Sequence, residues 1–517
     1  MSKSAERESE RLKSQSRLDS EKELVDRNKL GQFATPPELA DSIVEYAASQ
    51  LPKSASIRFL DPGFGTGSFF SSLLRTIPKR IEHAAGFEID PHYGDEAQLI
   101  WRGTQLNLEI ADFTTDEVHR SKFNLIVSNP PYVRHHHLPQ AQKSHLKATT
   151  IAATGVQMSG LAGLYGYFML ISRAWMTNGG IGAWLIPSEF MDVNYGDAIK
   201  RFLIENVTLL SVHRFDPAEV QFDDALVSSA VVVFRNDLPS PSHTVRFSFG
   251  GTLNKPRLSS PVPVSLLKTV RKWTSLPQSV DADRTGAAHT IGDLFTIKRG
   301  LATGCNEFFI VNPEVIEHYS LPRELFVPIL PSPRFLASDE IEADPNGNPL
   351  IERKLFLMDC RLPESEIKSR YPSLWRYLQS GIEHGVNDRY LCKERGPLWY
   401  SQDRRLPCPF LCTYMGRTVR RDTAFRFILN NSNAIAANVY LMLYPKPILA
   451  GLLESDSSLK RKIWQALSRL APESLLGEGR VYGGGLHKIE PKELANVSID
   501  AIAKHLPKRS FPKQLFD

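Results

Sequence analysis

The apolar run Asn124-Leu-Ile-Val-Ser128 feeds directly into Asn129-Pro130-Pro131-Tyr132. Two prolines stiffen the backbone and remove two N–H donors, leaving the Asn129 amide oxygen and neighbouring main-chain carbonyls as acceptors at a strand end. Such a cluster suits an NH2 group, and Tyr132 adds a flat face for stacking on a base. Upstream, Arg58-Phe-Leu-Asp61-Pro-Gly63-Phe-Gly65-Thr66-Gly67 runs from a strand through a glycine-rich turn into a helix. There the backbone can approach a ligand closely, and free helix N–H groups face it. A Gly-x-Gly-x-Gly turn alone is a weak signal. Here Glu88 ends the next strand about 25 positions on, where a ribose diol would sit in a doubly wound sheet. Asp112-Phe113 follows a third apolar segment with an acceptor and a ring for a purine. Three such positions at successive strand ends point to a nucleoside cofactor.

These residues need a βαβ scaffold, and the pattern from Lys29 to about Arg235 supplies one: short apolar runs alternate with amphipathic stretches, as in a mainly parallel sheet. Strands are predicted at 57–61, 84–89, 124–128, 181–186, 209–215 and 227–234, the last two antiparallel. Helices are predicted at 37–48, 67–75, 164–176 and 195–205. Residues 1–28 are almost all polar and read as a solvated helix or disordered arm without chemistry. A Pro- and Ser-rich stretch near 237–263 marks a boundary, and 241–288 reads as a linker. Residues 289–517 read as α+β. With 517 residues, 42% of them hydrophobic, the chain has the composition of a multidomain globular protein. It shows no membrane-length apolar run and no secretion signal. Five cysteines make no disulfide framework, so a cytoplasmic location is expected.

The ordered motifs resemble those of the S-adenosylmethionine-dependent amino-group DNA methyltransferases, specifically the gamma (TaqI-like) class of N6-adenine enzymes of restriction-modification systems. Lys29-Leu-Gly31-Gln32-Phe33-Ala-Thr35-Pro36-Pro37 looks like the cofactor segment that precedes the glycine turn in this class. Asp61 to Gly67, Glu88-Ile-Asp90, Asp112-Phe113 and Asn129 to Tyr132 follow in the family's order, and Val220-Gln-Phe222-Asp-Asp224 looks like its last catalytic motif. Gly63-Phe64 departs from the usual Ala and small residue. The resemblance implies a doubly wound, mainly parallel seven-stranded sheet at 29–240 with a C-terminal α+β target-recognition domain. It implies S-adenosylmethionine held by Gln32, Phe33, Thr35, Asp61, Gly63, Gly65, Glu88, Asp112, Phe113, Asn129 and Pro131. Catalysis would fall to Asn129 and Pro130 as acceptors for the adenine N6 amino group, with Tyr132 and Phe222 packing on the flipped base.

Charge is uneven. Residues 1–250 carry 25 Lys and Arg against 29 Asp and Glu, whereas residues 251–517 carry 37 against 28, so the second half better suits a polyanion. Segments around Arg299, Thr303 and Asn306 and around Lys488 look like those bracketing the recognition domain in similar enzymes. Between them Arg404, Arg405, Arg417, Arg420 and Arg421 mix with Trp399, Tyr400 and Tyr414, a blend suited to double-stranded DNA. Arg134 follows the Asn-Pro-Pro-Tyr turn and is expected near the DNA. His135 to His137 lack flanking ligands, so no metal is expected, and Cys408 and Cys412 read as buried thiols. A monomer is expected, with any restriction endonuclease on a separate chain. Adenine in structured RNA and a protein glutamine amide offer the same NH2 chemistry and stand as alternatives.

Overall fold

The computed structural model describes residues 3–23, 26–27, 30–115, 122–216, 228–277, 289–417, 424–470, 472–482 and 486–499. The chain divides into two units, Met1–Asp283 with Tyr482–Gly484, and Arg284–Val481 with Gly485–Asp517.

The first unit contains, in order, α1 (Lys3–Ser20), α2 (Pro37–Ser49), β1 (Ile57–Asp61), α3 (Ser68–Thr76), β2 (Ile81–Glu88), α4 (Pro91–Ile100), β3 (Leu106–Ile110) and β4 (Phe123–Ser128). It continues with α5 (Gln140–Thr154), α6 (Leu164–Ile171), β5 (Met176–Pro187), α7 (Asp197–Glu205), β6 (Thr208–Arg214), β7 (Ser229–Arg235), β8 (Thr244–Gly251) and β9 (Pro256–Pro263). One sheet runs β3-β2-β1-β4-β5-β7-β6-β8-β9. Strands β1 to β5 pair in parallel, and β7 lies antiparallel between β5 and β6. The central strands are near-continuous apolar runs, with Phe59, Leu60, Leu125, Ile126, Val127 and Val231 to Phe234 buried, because helices cover both faces. The carboxyl ends of β1, β2, β3 and β4 consequently lie side by side on one rim, where ligands bind in such sheets.

Three expectations need correction. Among the described residues the sheet has nine strands rather than seven. The two extra strands come from the stretch read as a linker: β8 pairs with β6 and β9 with β8. Val245 and Phe247 alternate inward with a polar partner between them, a strand period that the surrounding Pro and Ser obscured. The polar N-terminus is a packed helix, with Arg11 only 1% exposed. The helix expected to reach Met176 ends at Ile171; a tight turn, Ser172–Trp175, follows, and Met176 already begins β5.

The second unit is α+β. A five-stranded sheet orders Phe295–Arg299, Tyr440–Pro445, Phe410–Thr413, Phe427–Asn430 and Glu340–Ile341. It packs on helices Pro447–Ser455 and Ser457–Ser468 through Phe427, Leu443, Leu449 and Ile463. A second core gathers Phe309, Leu357, Leu374 and Leu378 beneath helix Pro372–Glu383. All five cysteines are free and buried, Cys408 and Cys412 among them.

Candidate active site

Strand β1 ends on Asp61, fully buried behind the glycine turn. Its Oδ1 accepts from Ser128 Oγ at 2.8 Å and from the Gly63 N–H at 3.1 Å. Burial pushes its pKa up to about 7; these two bonds oppose the rise, and the Glu88 charge adds to it. Asp61 thus ties the turn after β1 to the end of β4. Strand β2 ends on Glu88, whose two oxygens accept from the Gly65 N–H at 2.8 Å and the Asp90 N–H at 2.9 Å. Burial raises its pKa against those bonds. Beyond β3, Asp112 Oδ1 accepts from the Thr114 amide and hydroxyl, and Phe113 packs 5.5 Å from Phe168.

At the end of β4 the Asn129 side chain is oriented by its surroundings. Its Nδ2 donates to the Phe33 carbonyl at 2.9 Å and to Thr35 Oγ1 at 3.2 Å. A carbonyl can only accept, so the amide nitrogen must face it, and Oδ1 points the other way, buried and with no partner among the described residues. The segment holding Asn129 is fastened to the turn at Gly31. Gly31 has φ 66°, and a Cβ there would stand 2.2 Å from the Tyr132 nitrogen. Tyr132 is buried, its hydroxyl donating to the Leu185 carbonyl at 3.1 Å and its ring tilted 5.7 Å from Phe33.

A cavity of about 730 Å³ opens over this rim. Gln32, Phe33, Gly63, Gly65, Glu88, Asp112, Phe113, Asn129 and Pro131 line it, all expected from sequence. Thr35, Asp61, Pro130 and Tyr132 do not line it; the first two support residues that do. Phe222 lies outside the described residues. Sequence reading missed Ile89, an apolar side chain 64% exposed on the cavity wall, although it directly follows Glu88. It also missed Leu164 and Phe168 at the start of α6, and Gln15, Asp19 and Lys22 from the N-terminal segment. His137 lines the cavity as well.

Residues 77–221 match the family described as Eco57I restriction-modification methylase, and residues 276–515 match that described as Type II methyltransferase M.Eco57I, C-terminal domain. Over 483 residues the chain is 28% identical to the type II methyltransferase M.XamI of Xanthomonas campestris pv. amaranthicola, covering 91% of this chain and 85% of that protein. It is 24% identical over 493 residues to the type II methyltransferase M.AccI of Acinetobacter calcoaceticus, with the same coverage. The chain is thus similar along most of its length to type II restriction-modification methyltransferases. Among solved structures, the type IIL restriction-modification enzyme MmeI in complex with DNA has a similar fold, with a TM-score of 0.51 at 14% identity over 81% of this chain and 60% of that chain.

The cavity fits S-adenosylmethionine. Glu88 presents a carboxylate pinned by two backbone amides, Ile89, Phe113, Pro131, Leu164 and Phe168 offer an apolar slot, and the space around Gly65 is open where a side chain would project. Its volume lies within the roughly 300–1,000 Å³ of small-molecule sites. The residues expected at DNA are more scattered. Arg134 is exposed on the first unit; in the second, Arg299, Asn306, Arg404 and Arg417 are exposed. Arg299 lies 4.1 Å over the Tyr414 ring, and Lys488 lies 5.0 Å from the same ring while paired with Glu490 at 2.9 Å. Arg405 is partly covered beside Asp403. Thr303 is a correction: its hydroxyl is buried, donating to Asn306 Oδ1 at 2.6 Å in a turn. Arg420 and Arg421 lie outside the described residues.

Proposed function

We propose that this chain is a gamma-class methyltransferase that transfers a methyl group from S-adenosylmethionine to N6 of an adenine flipped out of double-stranded DNA. The observation that carries the proposal is the orphaned Asn129 Oδ1. A buried acceptor without a donor costs about 1–3 kcal/mol, so a site that keeps one is built for an incoming N–H. An exocyclic amino group supplies that donor. The chain order supports the class, because the cofactor segment at Gln32 to Thr35 precedes the glycine turn and the Asn-Pro-Pro-Tyr motif.

S-adenosylmethionine, when bound, supplies the electrophilic methyl group. Asn129 Oδ1 and the Pro130 carbonyl accept from the amino group and draw its lone pair out of conjugation with the ring, because the attacking nitrogen turns positive in the transition state. Phe33 and Thr35 hold the Asn129 carboxamide so that this acceptor needs no reorientation during reaction. Tyr132 and Phe222 pack on the base. The second unit, with its exposed arginines, supplies phosphate contacts and base readout.

Modified-base sequencing of DNA from a methylation-deficient host expressing the chain tests the proposal. N6-methyladenine at one fixed sequence is expected. The Asn129→Ala variant is expected to lose about 10²–10³-fold in turnover while still binding cofactor. Near-normal methylation by that variant, or methyl transfer found only on RNA or protein, would refute the assignment.

A further inference from the structure

Helix α1 has almost no apolar face. Of its residues only Leu18 is a buried hydrophobic side chain. Yet Glu8, Arg11, Gln15 and Leu18, followed by Lys22, recur every three or four positions and form one docked stripe. Arg11 grips Glu8 with two bonds, at 2.7 and 2.8 Å, and uses its remaining nitrogen on Thr66 Oγ1 at 3.2 Å and Ser68 Oγ at 3.0 Å. Those hydroxyls belong to the glycine-rich turn and the first residue of α3. Gln15 Oε1 accepts from the Thr66 hydroxyl at 2.6 Å, and Glu8 reaches past the turn to Ser71 and Arg75. One turn further on, Asp19 accepts from the Tyr93 hydroxyl at 2.9 Å, and Lys22 meets Asp90, which also accepts from Gln32 at 2.7 Å. Gln15, Asp19 and Lys22 themselves line the cavity.

We infer that α1 and Lys22 are a working wall of the cofactor site, with Arg11 as the positioning residue that sets the glycine-rich turn. The inference rests on the reading that the cavity takes S-adenosylmethionine. The helix joins no apolar core, so its docking depends on polar bonds that individually contribute little in net terms. A buried guanidinium is tolerated only while all its partners are in place. The turn and the helix therefore order each other, and a ligand that braces the turn also braces the helix.

Calorimetric titration of the full chain with S-adenosylhomocysteine, paired with hydrogen exchange, tests this. Arg11→Met is expected to weaken binding by about tenfold or more, a change of about 1.4 kcal/mol. Arg11→Lys is expected to recover part of the loss, and circular dichroism is expected to show folded protein in both variants. Backbone amides of Lys3–Ser20 are expected to exchange more slowly when the ligand is bound. In turnover, KM for the cofactor is expected to rise in Arg11→Met while KM for DNA stays unchanged, a split that general destabilisation would not produce. Binding within about twofold of the parent chain, or helix amides indifferent to ligand, would overturn the inference and leave the cofactor reading standing. Failure of the parent chain to bind would overturn both.

Discussion

Asp61 and Asn129 show how side-chain type and environment divide the work at this site. Asn129 was legible because an amide at a strand end before two prolines has few uses other than gripping a donor. That Phe33 and Thr35 fix its orientation was not legible, since nothing in the spacing says which carbonyl lies within reach. The family resemblance implies Asp61 as a cofactor ligand; in the structure it lies behind the turn, bonded to Ser128 and Gly63. Its carboxyl, raised to about 7 from 3.8, holds its proton more tightly folded than unfolded. Between those values the folded protein therefore binds more protons, and stability falls as pH rises through the window. Asp61→Asn is accordingly expected to raise the melting temperature of cofactor-free protein at pH 8, by up to about 4 kcal/mol in stability, with the gain vanishing below about pH 4. A pH series of thermal melts checks this.

Among the elements, β1, β2, β4, α2 and α3 were recoverable from sequence to within a few residues, because apolar periodicity marks anything that packs on a core. What escaped are elements whose packing is polar or whose composition misleads. Helix α1 docks through charged and hydroxyl groups, so hydrophobic patterning is blind to it. Strand β9, Pro256-Arg-Leu-Ser-Ser-Pro-Val-Pro263, has the composition of a linker and the geometry of an edge strand. The segment before α2 is held to the Asn-Pro-Pro-Tyr turn at Gly31, where two backbones nearly touch. Gly31→Ala adds about 1–2 kcal/mol of conformational cost at positive φ, before the clash with Tyr132 is counted. It is expected to lower the melting temperature and to weaken S-adenosylhomocysteine binding; calorimetry alongside thermal melts reads both effects.

At the scale of the whole molecule the two units differ in character. The first carries the cavity and the carboxylates; the second has three apolar cores among its described residues, beneath an arginine-bearing surface. Only the α+β class of the second unit was legible, because recognition surfaces are built from exposed residues with no periodic signature. Arg417, exposed on the strand Met415–Arg417, is expected to contact phosphate. Arg417→Ala in the full chain should weaken DNA binding at all sequences and flatten the slope of log affinity against log salt by about 0.9, with cofactor affinity unchanged. Titrations at several ionic strengths measure it.

Strand β9 closes one side of the nine-stranded sheet. Its Pro261 and Pro263 pair across from Arg246 and Thr244 of β8. A proline fits a strand only where its missing N–H would face away from the ladder, so both leave gaps in the row of donors on the outer edge. A neighbouring strand laid against that edge would miss those two hydrogen bonds. That makes the β9 edge a poorer template for pairing with another chain than an unbroken edge strand would be, and so weakens one route by which a large open sheet aggregates.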